Sequence, residues 1–371
     1  MLWLALKTFF HEKVRLATTL VGIIFSTILT LTQVGMYFGF MGNATAIIRN
    51  TDADIWVASK NIQNFDFSNP IPEERINRVR ALSEIEWAER LVLAWGFFKL
   101  ASGGQEQVQI MGFDPDSGVG KPWSMYKGDP YAVKGGRYMI IDKTSEQRLG
   151  RLEIGNTWEI SGRKFKLVGI SEGIKTFTTA PLIFMAMEQA RAFYNPDDVT
   201  FIVAKVKDRD KVDEVAGALR REMRDNDVYT RDGFIYKTVM YWTVQTGMGM
   251  GFFLTAILGV IIGGAIVGQT IYANTMEHMK EFGTLKAIGA KNIDLYKIIF
   301  TQAAVGALIG YISGMVVILL LKGPIEKSGV SLYLSPALFA VLFVVILLTC
   351  LLSAYFSIRK VKSLDPVMVF R

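Results

Sequence analysis

The sequence predicts a membrane protein with four transmembrane α-helices and a large extracytoplasmic mixed α/β domain inserted between the first and the second helix. Three observations predict this fold class. Four long stretches of the 371-residue chain contain no Asp, Glu, Lys or Arg, basic residues gather on one side of these stretches, and residues 43–240 alternate short strand patterns with short helix patterns. With ten Pro and one Cys, the chain has the composition of neither a disordered protein nor a disulfide scaffold.

The four uncharged stretches are each long enough to cross a bilayer. A helix needs about 20 apolar residues to cross the hydrocarbon core, whereas a helix of a globular domain usually has about 8–20 residues. The stretches are Leu16–Ile48, Thr238–Met276, Ile298–Leu321 and Ser328–Ile358, with 33, 39, 24 and 31 residues. We therefore expect four transmembrane helices, of which the first two have residues to spare for tilt or for a stalk outside the membrane.

The start of the chain permits a second interpretation, a cleaved signal peptide, because Ala44-Thr45-Ala46 imitates a small-x-small cleavage site. A signal peptide has an apolar region of only about 7–15 residues, so the longer first stretch predicts an uncleaved anchor. The predicted segments are a cytoplasmic N-terminal segment (1–15), the first transmembrane helix (16–42), the outer domain (43–240), the second transmembrane helix with its stalk (241–276), a cytoplasmic helix (277–297), the third transmembrane helix (298–321), a short outer loop (322–329), the fourth transmembrane helix (330–358) and a cytoplasmic tail (359–371).

Basic residues near the ends of the spans predict the orientation, because cytoplasmic loops are enriched in Lys and Arg. Eleven lie before the first span, between the second and third, and after the fourth, against two in the loop between the third and fourth. Both termini are therefore expected in the cytoplasm and residues 43–240 outside. The outer domain carries basic and acidic residues in equal number, so the net charge of +7 reflects membrane topology and not nucleic-acid binding.

The outer domain has the patterns of an α+β or α/β fold. Strand patterns cover 54–58, 91–100, 107–113, 138–141, 181–185 and 201–207, a hairpin pattern covers 157–160 and 163–170, and helix patterns cover 73–82 and 211–223.

Catalytic constellations are hard to build in this outer domain. It contains no Cys and no His, because the histidines are His11 and His278 and the one cysteine is Cys350 in the fourth span. An imidazole base, a thiol nucleophile and a Cys/His metal site are therefore excluded there. The acid pairs Asp114/Asp116 and Asp197/Asp198 lie in Asp-Pro-Asp and Asn-Pro-Asp-Asp sequences, which indicate backbone turns rather than paired-acid catalysis.

The spans themselves contain no Asp, Glu, Lys, Arg or His, which argues against a proton- or ion-driven carrier. Glycines recur at four-residue spacing, most regularly at Gly306, Gly310 and Gly314 of the third span. Small residues at this spacing let helix backbones approach closely. The spacing is compatible with packing inside one bundle and with contact to a second copy of the chain.

A short amphipathic segment lies between the second and third spans. Phe282, Leu285 and Ile288 are three residues apart and can share one face of a helix, and Gly289 suits the left-handed position that closes it. From the residues alone, a helix lying on the bilayer surface is an equally good interpretation.

This segment resembles the cytoplasmic motif of the MacB/FtsX superfamily of ABC-transporter permeases. The matching residues are Glu281, Phe282, Gly283, Thr284, Leu285, Lys286, Ala287, Ile288, Gly289 and Ala290. The four-span layout, the Ile154-Gly155 and Arg163–Ile170 pair and the tail Leu364-Asp365-Pro366-Val367 are similar too. Residues Ala53–Ser59 with Gln63–Asp66 are similar to DevC-like exporter permeases.

The resemblance implies a type VII ABC permease in which residues 281–290 dock as a coupling helix into a separate ATPase. Two permeases and two ATPases form the working unit, a periplasmic adaptor (membrane fusion protein) and an outer-membrane channel assemble with it, and the chain lies in the bacterial inner membrane. ATP and Mg are implied in the partner only, since Gly118-Val119-Gly120-Lys121-Pro122 lacks the spacing and the hydroxyl of a phosphate loop. The alternative within the superfamily is an FtsX-like, non-transporting regulator of a cell-wall hydrolase. In either case this chain is expected to be a non-catalytic permease subunit without a cofactor of its own.

Overall fold

The structure is a computed structural model that describes residues 7, 10–193 and 197–361, without the side chains at positions 282, 286, 287 and 358–361. The tail residues 362–371, which include the Leu364–Val367 motif, therefore lie outside the described residues. The chain divides into two compact units, a helical unit of residues 1–39 and 248–371 and an outer unit of residues 40–247.

Within the described residues, four helices are long and apolar enough to cross a membrane, which confirms the predicted spans. Span 1 is Lys13–Ala44, span 2 is Met248–Glu277, span 3 is Asn292–Lys327 and span 4 is Pro336–Val361. A short helix, Met279–Ala287, follows span 2 and precedes span 3, and we call it the linking helix.

The boundaries of the spans differ from the predicted ones by up to seven residues. Span 2 begins at Met248 instead of residue 241, because Gly247 has a φ of +71° and interrupts the helix. Span 3 continues to Lys327 instead of ending at residue 321, and span 4 begins at Pro336 instead of residue 330. Pro suits the first turn of a helix, where its missing N–H needs no partner. Uncharged stretches thus mark the apolar part of a helix and not its ends.

Serine hydroxyls and glycine backbones bring the spans of the helical unit together. Small residues allow the helices to approach until a hydroxyl of one reaches a backbone carbonyl of another. The side-chain oxygen donates to the carbonyl over 2.8 Å in each of three pairs, Ser26 to Gly259, Ser353 to Gly264 and Ser357 to Gly268. Span 2 therefore packs against span 1 on one side and span 4 on the other.

The described part of the outer unit contains twelve strands and six short α-helices. The strands are β1 (Ile55–Ser59), β2 (Ile71–Pro72), β3 (Ile85–Lys99), β4 (Gln105–Phe113), β5 (Met125–Lys127), β6 (Tyr138–Asp142), β7 (Thr157–Ile160), β8 (Arg163–Ser171), β9 (Leu182–Ala186), β10 (Asp198–Val199), β11 (Phe201–Val206) and β12 (Asn226–Thr230). The helices are α1 (Ala46–Asn50), α2 (Ile76–Arg80), α3 (Glu146–Leu149), α4 (Met187–Ala190), α5 (Val212–Glu222) and α6 (Arg231–Met240), and a π-helical turn, Tyr241–Gln245, follows α6.

Ten of these strands form one mixed sheet in the order β12-β1-β11-β3-β4-β9-β6-β8-β5, with β7 pairing to β3 and β8. The β4–β9 and β6–β8 pairs are parallel and the others antiparallel. Long β3 joins the two halves, because its first part pairs with β11 and its second part with β4. The mixed α/β domain expected between the first and second spans is confirmed.

Both faces of the sheet are covered. In β1, Ile55 and Val57 belong to one core while Trp56 and Ala58 belong to the other, and all four are fully buried. A strand alternates its side chains between the two faces, so a strand buried on both sides reads as a continuous apolar run.

The connections into and out of the outer unit lie on neighbouring strands. The chain enters through α1 and β1 and leaves through β12 and α6, and β1 pairs with β12 over five antiparallel residue pairs from Ile55–Thr230 to Ser59–Asn226. The same strand β1 pairs with β11 on its other side. The two connections are thus held to one another by a backbone ladder inside the sheet.

Candidate functional site

The linking helix contains most of the segment singled out in the sequence. It holds residues 281–287, and Ile288, Gly289 and Ala290 follow its last turn. The amide of Ile288 donates to the carbonyl of Thr284 (3.1 Å) and that of Ala290 to the carbonyl of Leu285 (3.0 Å). Gly289 has a φ of +105°, a conformation that costs a residue with a Cβ free energy, so the helix ends here.

The start of span 3 is fixed as firmly as the end of the linking helix. The backbone amide of Lys291 donates to the side-chain carboxylate of Asp294 over 3.1 Å, and the amide of Asp294 donates to the carbonyl of Lys291 over 2.9 Å. This reciprocal arrangement satisfies amides that a helix start would leave unpaired. The short connection therefore has defined geometry at both ends.

An apolar side chain is exposed directly after the last turn of the linking helix. Ile288 is 80% exposed, Leu285 is half-buried and Thr284 is exposed, while the side chain of Phe282 lies outside the described residues. Because the side chain of Ile288 is already exposed, it can bury apolar area against a partner without first being removed from a hydrophobic core.

Charged side chains from three elements meet beside the linking helix. Glu12 and Arg15 come from the beginning of span 1, Glu277 ends span 2, His278 is the junction residue, and Glu281 lies in the first turn of the linking helix. We call these five residues the ionic cluster.

The contacts within the ionic cluster run across the chain. Arg15 Nη1 lies 2.6 Å from Glu12 Oε2, and its other amino group pairs with Glu277. His278 Nε2 contacts Glu12 Oε1, and His278 Nδ1 lies 2.9 Å from Glu281 Oε2. Burial lowers the pKa of His278, but hydrogen bonds and charge attraction from Glu12 and Glu281 outweigh it, so the pKa is raised above its ordinary value.

The ionic cluster was not predicted from the sequence. Two local signals were present, the i,i+3 spacing of His278 and Glu281 and that of Glu12 and Arg15, which place each pair on one helix face. Neither signal shows that the two pairs meet, because His278 and Glu12 are 266 positions apart.

The glycines of span 3 face span 1. A Cβ built on Gly310 would lie 2.6 Å from Cγ2 of Ile23, and one built on Gly314 would lie 2.8 Å from Cβ of Thr27. Gly306 is buried on the same helix. The spacing therefore serves packing inside one chain in this structure, and contact with a second copy stays a prediction.

The outer unit contains one buried acid of note. Asp66 is 2% exposed, neither of its carboxylate oxygens has a hydrogen-bond partner, and burial raises its pKa to about 7, although the nearby Gln109 amide acts in the opposite direction. The acid pair at 114–116 forms a turn in which the amide of Asp116 donates to Asp114 Oδ1 (2.9 Å). Across the described residues no three His, Cys, Asp or Glu side chains gather as a metal site.

Two family profiles match the chain and together cover nearly all of it. Residues 16–222 match the MacB-like periplasmic core domain, and residues 253–366 match the FtsX-like permease C-terminal region. The first match contains span 1 and most of the outer unit, and the second contains the linking helix.

Similar full-length proteins carry permease names. An ABC transporter permease of Mycobacterium tuberculosis is 24% identical over 378 aligned residues, which cover 100% of this chain and 99% of the relative. An ABC transporter permease of Methanocaldococcus jannaschii is 22% identical and aligns with 79% of this chain and 78% of its own length. A protein of Pseudomonas entomophila named pyoverdine export ATP-binding/permease protein is 23% identical over 59% of this chain and 35% of its own length.

Two solved outer domains are also similar to parts of this chain. The extracellular domain of the ABC-type transporter YknZ from Gram-positive bacteria has a TM-score of 0.37 and 12% identity, covering 48% of this chain and 98% of that domain. The periplasmic region of MacB from Actinobacillus actinomycetemcomitans has a TM-score of 0.37 and 11% identity, covering 50% of this chain and 92% of that region.

Proposed function

The chain belongs to the MacB/FtsX family of ABC-transporter permeases, and on that basis we propose that it couples ATP hydrolysis by a separate ATPase subunit to movement of its outer domain, which drives efflux. In this proposal the chain itself is not an enzyme. It receives force at the linking helix and passes it along the spans.

The observation that carries the proposal is the short, capped linking helix, directly followed by an exposed apolar residue. Ile288 offers apolar area to a partner, and Gly289 fixes where the helix ends. The helix begins directly after span 2 and lies four residues before span 3, so a partner bound to it displaces both spans. An interface anchor of this kind typically contributes about 1–3 kcal/mol to docking.

The ATPase is proposed to be another chain. A P-loop needs the G-x-x-x-x-G-K-[ST] pattern to bind phosphate, and residues 1–371 do not contain it. The Pseudomonas relative, by its name, combines ATP-binding and permease functions in one protein, and it is the name of that relative that makes export the favoured direction here.

We place the working assembly in the bacterial inner membrane, with both termini cytoplasmic and the outer domain in the periplasm. Two copies of this chain, two ATPase subunits, a periplasmic adaptor and an outer-membrane channel complete it. Affinity capture of the full-length chain from crosslinked membranes tests these partners. Recovery of an adaptor with an outer-membrane channel supports export, whereas recovery of a peptidoglycan hydrolase without them would show an FtsX-like regulator.

The coupling step is tested by charge substitutions on the linking helix. We expect Ile288→Asp, and Leu285→Asp more strongly, to reduce the stimulation of the ATPase by the reconstituted chain about fivefold or more, because a carboxylate must be desolvated in the interface. Asn292→Asp is the matched control, since it adds the same charge at an exposed position four residues beyond Ile288 and outside residues 281–290. Because Ile288 is already exposed, its substitution leaves the fold of the chain intact.

Two results would refute the proposed function. One is a wild-type chain that does not alter ATPase turnover, and the other is an Ile288→Asp variant that stimulates turnover as well as Asn292→Asp does. Ultracentrifugation of the detergent-solubilised complex provides the binding readout, and we expect the ATPase to separate from the Ile288→Asp chain at concentrations where it stays bound to the control.

A further inference from the structure

His278 holds two acidic side chains at once. Its Nε2 contacts the carboxylate of Glu12, and its Nδ1 lies 2.9 Å from the carboxylate of Glu281. A neutral imidazole has one donor and one acceptor nitrogen, and an ionised carboxylate can only accept. With both carboxylates ionised, only the imidazolium can donate to both, so this geometry favours a positive charge on His278.

The other charges of the ionic cluster favour the same protonation state. Three carboxylates, from Glu12, Glu277 and Glu281, face a single guanidinium, that of Arg15. A charged His278 reduces this excess of negative charge. It also directly follows the C-terminal end of span 2, where the helix dipole favours a cation, while Glu281 occupies the first turn of the linking helix, where the dipole favours an anion.

Burial separates the cluster into an inner and an outer part. The side chains of His278, Glu12 and Arg15 are 17%, 23% and 25% exposed, whereas those of Glu277 and Glu281 are 66% and 70% exposed. Charge pairs shielded from water are screened less than exposed ones. The contact between His278, directly before the linking helix, and Glu12, directly before span 1, is accordingly shielded from water on both sides, unlike the contacts of Glu277 and Glu281.

The contact between His278 and Glu12 connects the linking helix to span 1, to which it is not directly joined along the chain. The linking helix is covalently continuous with spans 2 and 3, but it reaches span 1 across 266 positions of sequence only through side chains. Span 1 continues into the outer unit through residue 40. Movement of the linking helix can thus act on both segments that lead to the outer unit.

We propose that His278 is a positioning residue whose imidazolium holds the linking helix at the N-terminal end of span 1, so that the ATPase acts on span 1 together with spans 2 and 3. We call this contact the fastening, and it is lost as the pH rises. The inference rests on the proposed function for its effect on coupling. The fastening itself is a property of this chain and is tested without the ATPase.

The direction of the pH dependence follows from the raised pKa of His278. The unfolded-state value of a histidine is about 6.5, and the folded value is above it because Glu12 and Glu281 outweigh the effect of burial. The contribution of the contact is fully present below the unfolded value and is lost as the pH rises through the folded value.

Titration of His278 in the full-length chain tests the fastening. The chain has two histidines, so His11→Gln leaves one imidazole to follow by NMR in lipid nanodiscs with labelled histidine. We expect a midpoint above 6.5, and we expect Glu12→Gln to lower the proton affinity of the imidazole about two- to fivefold. Glu326→Gln, which removes a carboxylate from the other end of span 3, should leave the midpoint unchanged.

The coupling part of the inference is tested with the reconstituted ATPase between pH 6 and pH 9, normalised to the ATPase alone. Wild-type stimulation should fall about two- to fivefold across the range, His278→Gln should stay at the low level throughout, and His278→Lys, which keeps a cation, should stay high.

A midpoint at or below 6.5, or one that Glu12→Gln does not change, overturns the fastening. A normal titration with identical pH profiles for wild type and His278→Gln overturns its part in coupling. A wild-type chain that never stimulates the ATPase refutes the proposed function instead, and the titration still decides the fastening.

Discussion

Adding one methyl group at Gly263 should separate span 1 from span 2. A Cβ at this position would lie 2.4 Å from Cβ and 2.5 Å from Oγ of Ser26. The Cβ of a serine is fixed to its backbone, so no rotamer change relieves the contact and the helices must move apart. That movement would also stretch the 2.8 Å hydrogen bond from Ser26 Oγ to the carbonyl of Gly259.

The expected change in the free energy of unfolding follows from one stabilising and two destabilising contributions. Replacing Gly by Ala inside a helix gains up to about 1 kcal/mol of helix propensity, overpacking costs about 1–3 kcal/mol, and a weakened interhelical hydrogen bond costs about 0.6 kcal/mol. Gly251→Ala in the same helix is the matched control, because its Cβ would have no neighbour within 4 Å. We expect Gly263→Ala to be less stable than Gly251→Ala by roughly 2–3 kcal/mol.

Unfolding of the full-length variants in mixed micelles, with rising denaturing detergent and helicity followed by circular dichroism, measures this difference. Gly251→Ala should equal or slightly exceed wild type, and Gly263→Ala should unfold at a lower detergent fraction. Equal midpoints for the two variants would show that span 1 does not approach span 2 at Gly263, and the packing described for this helix pair would be refuted.

Two further predictions concern the pH dependence of the outer unit and the contact between spans 2 and 4. Since the pKa of Asp66 is raised to about 7 in the fold from an ordinary value of 3.8, its buried protonated form stabilises the outer unit at low pH and this stability is lost as the pH rises from about 4 to about 7. The free energy of unfolding of Asp66→Asn should therefore equal that of wild type near pH 4 and exceed it near pH 8 by at most about 4 kcal/mol. Tryptophan-fluorescence unfolding of the full chain measures this difference. A difference that does not grow with pH would contradict the burial of Asp66. Ser353→Ala removes the donor to the carbonyl of Gly264 and should lower the free energy of unfolding by about 0.6 kcal/mol, and at most by about 1.7 kcal/mol. The control Thr255→Val removes only a hydrogen bond within its own helix and should lower it less in the same detergent assay.

The number of spans and the existence of the outer domain were predictable because both depend on local composition. The start of β3 was not. It begins at Ile85, six residues before the predicted strand, and contains Glu89 and Arg90. These charges are accommodated because Arg90 pairs with Glu73 and Glu89 lies 3.6 Å from Arg80, both partners from outside the strand. A charged strand that is stabilised by tertiary ion pairs has no signal in its own sequence.

The candidate site divides in the same way. The linking helix was predictable from a local apolar spacing and a glycine at its end, together with the family resemblance. The ionic cluster was not, because the contact between His278 and Glu12 depends on which helices become neighbours. The glycine spacing of span 3 likewise predicted a close helix contact, but the residue it meets, Ile23 of span 1 for Gly310, is known only from the fold.

The ladder between β1 and β12 restricts how the outer unit can respond to the membrane segments. Five paired residues hold the entering strand to the leaving strand, and antiparallel pairing that slips by one residue turns every buried side chain toward the wrong face. Trp56, fully buried in β1, would then leave its core. The strand that enters the outer unit and the strand that leaves it therefore cannot slide past one another without breaking the ladder, so the two strands move together.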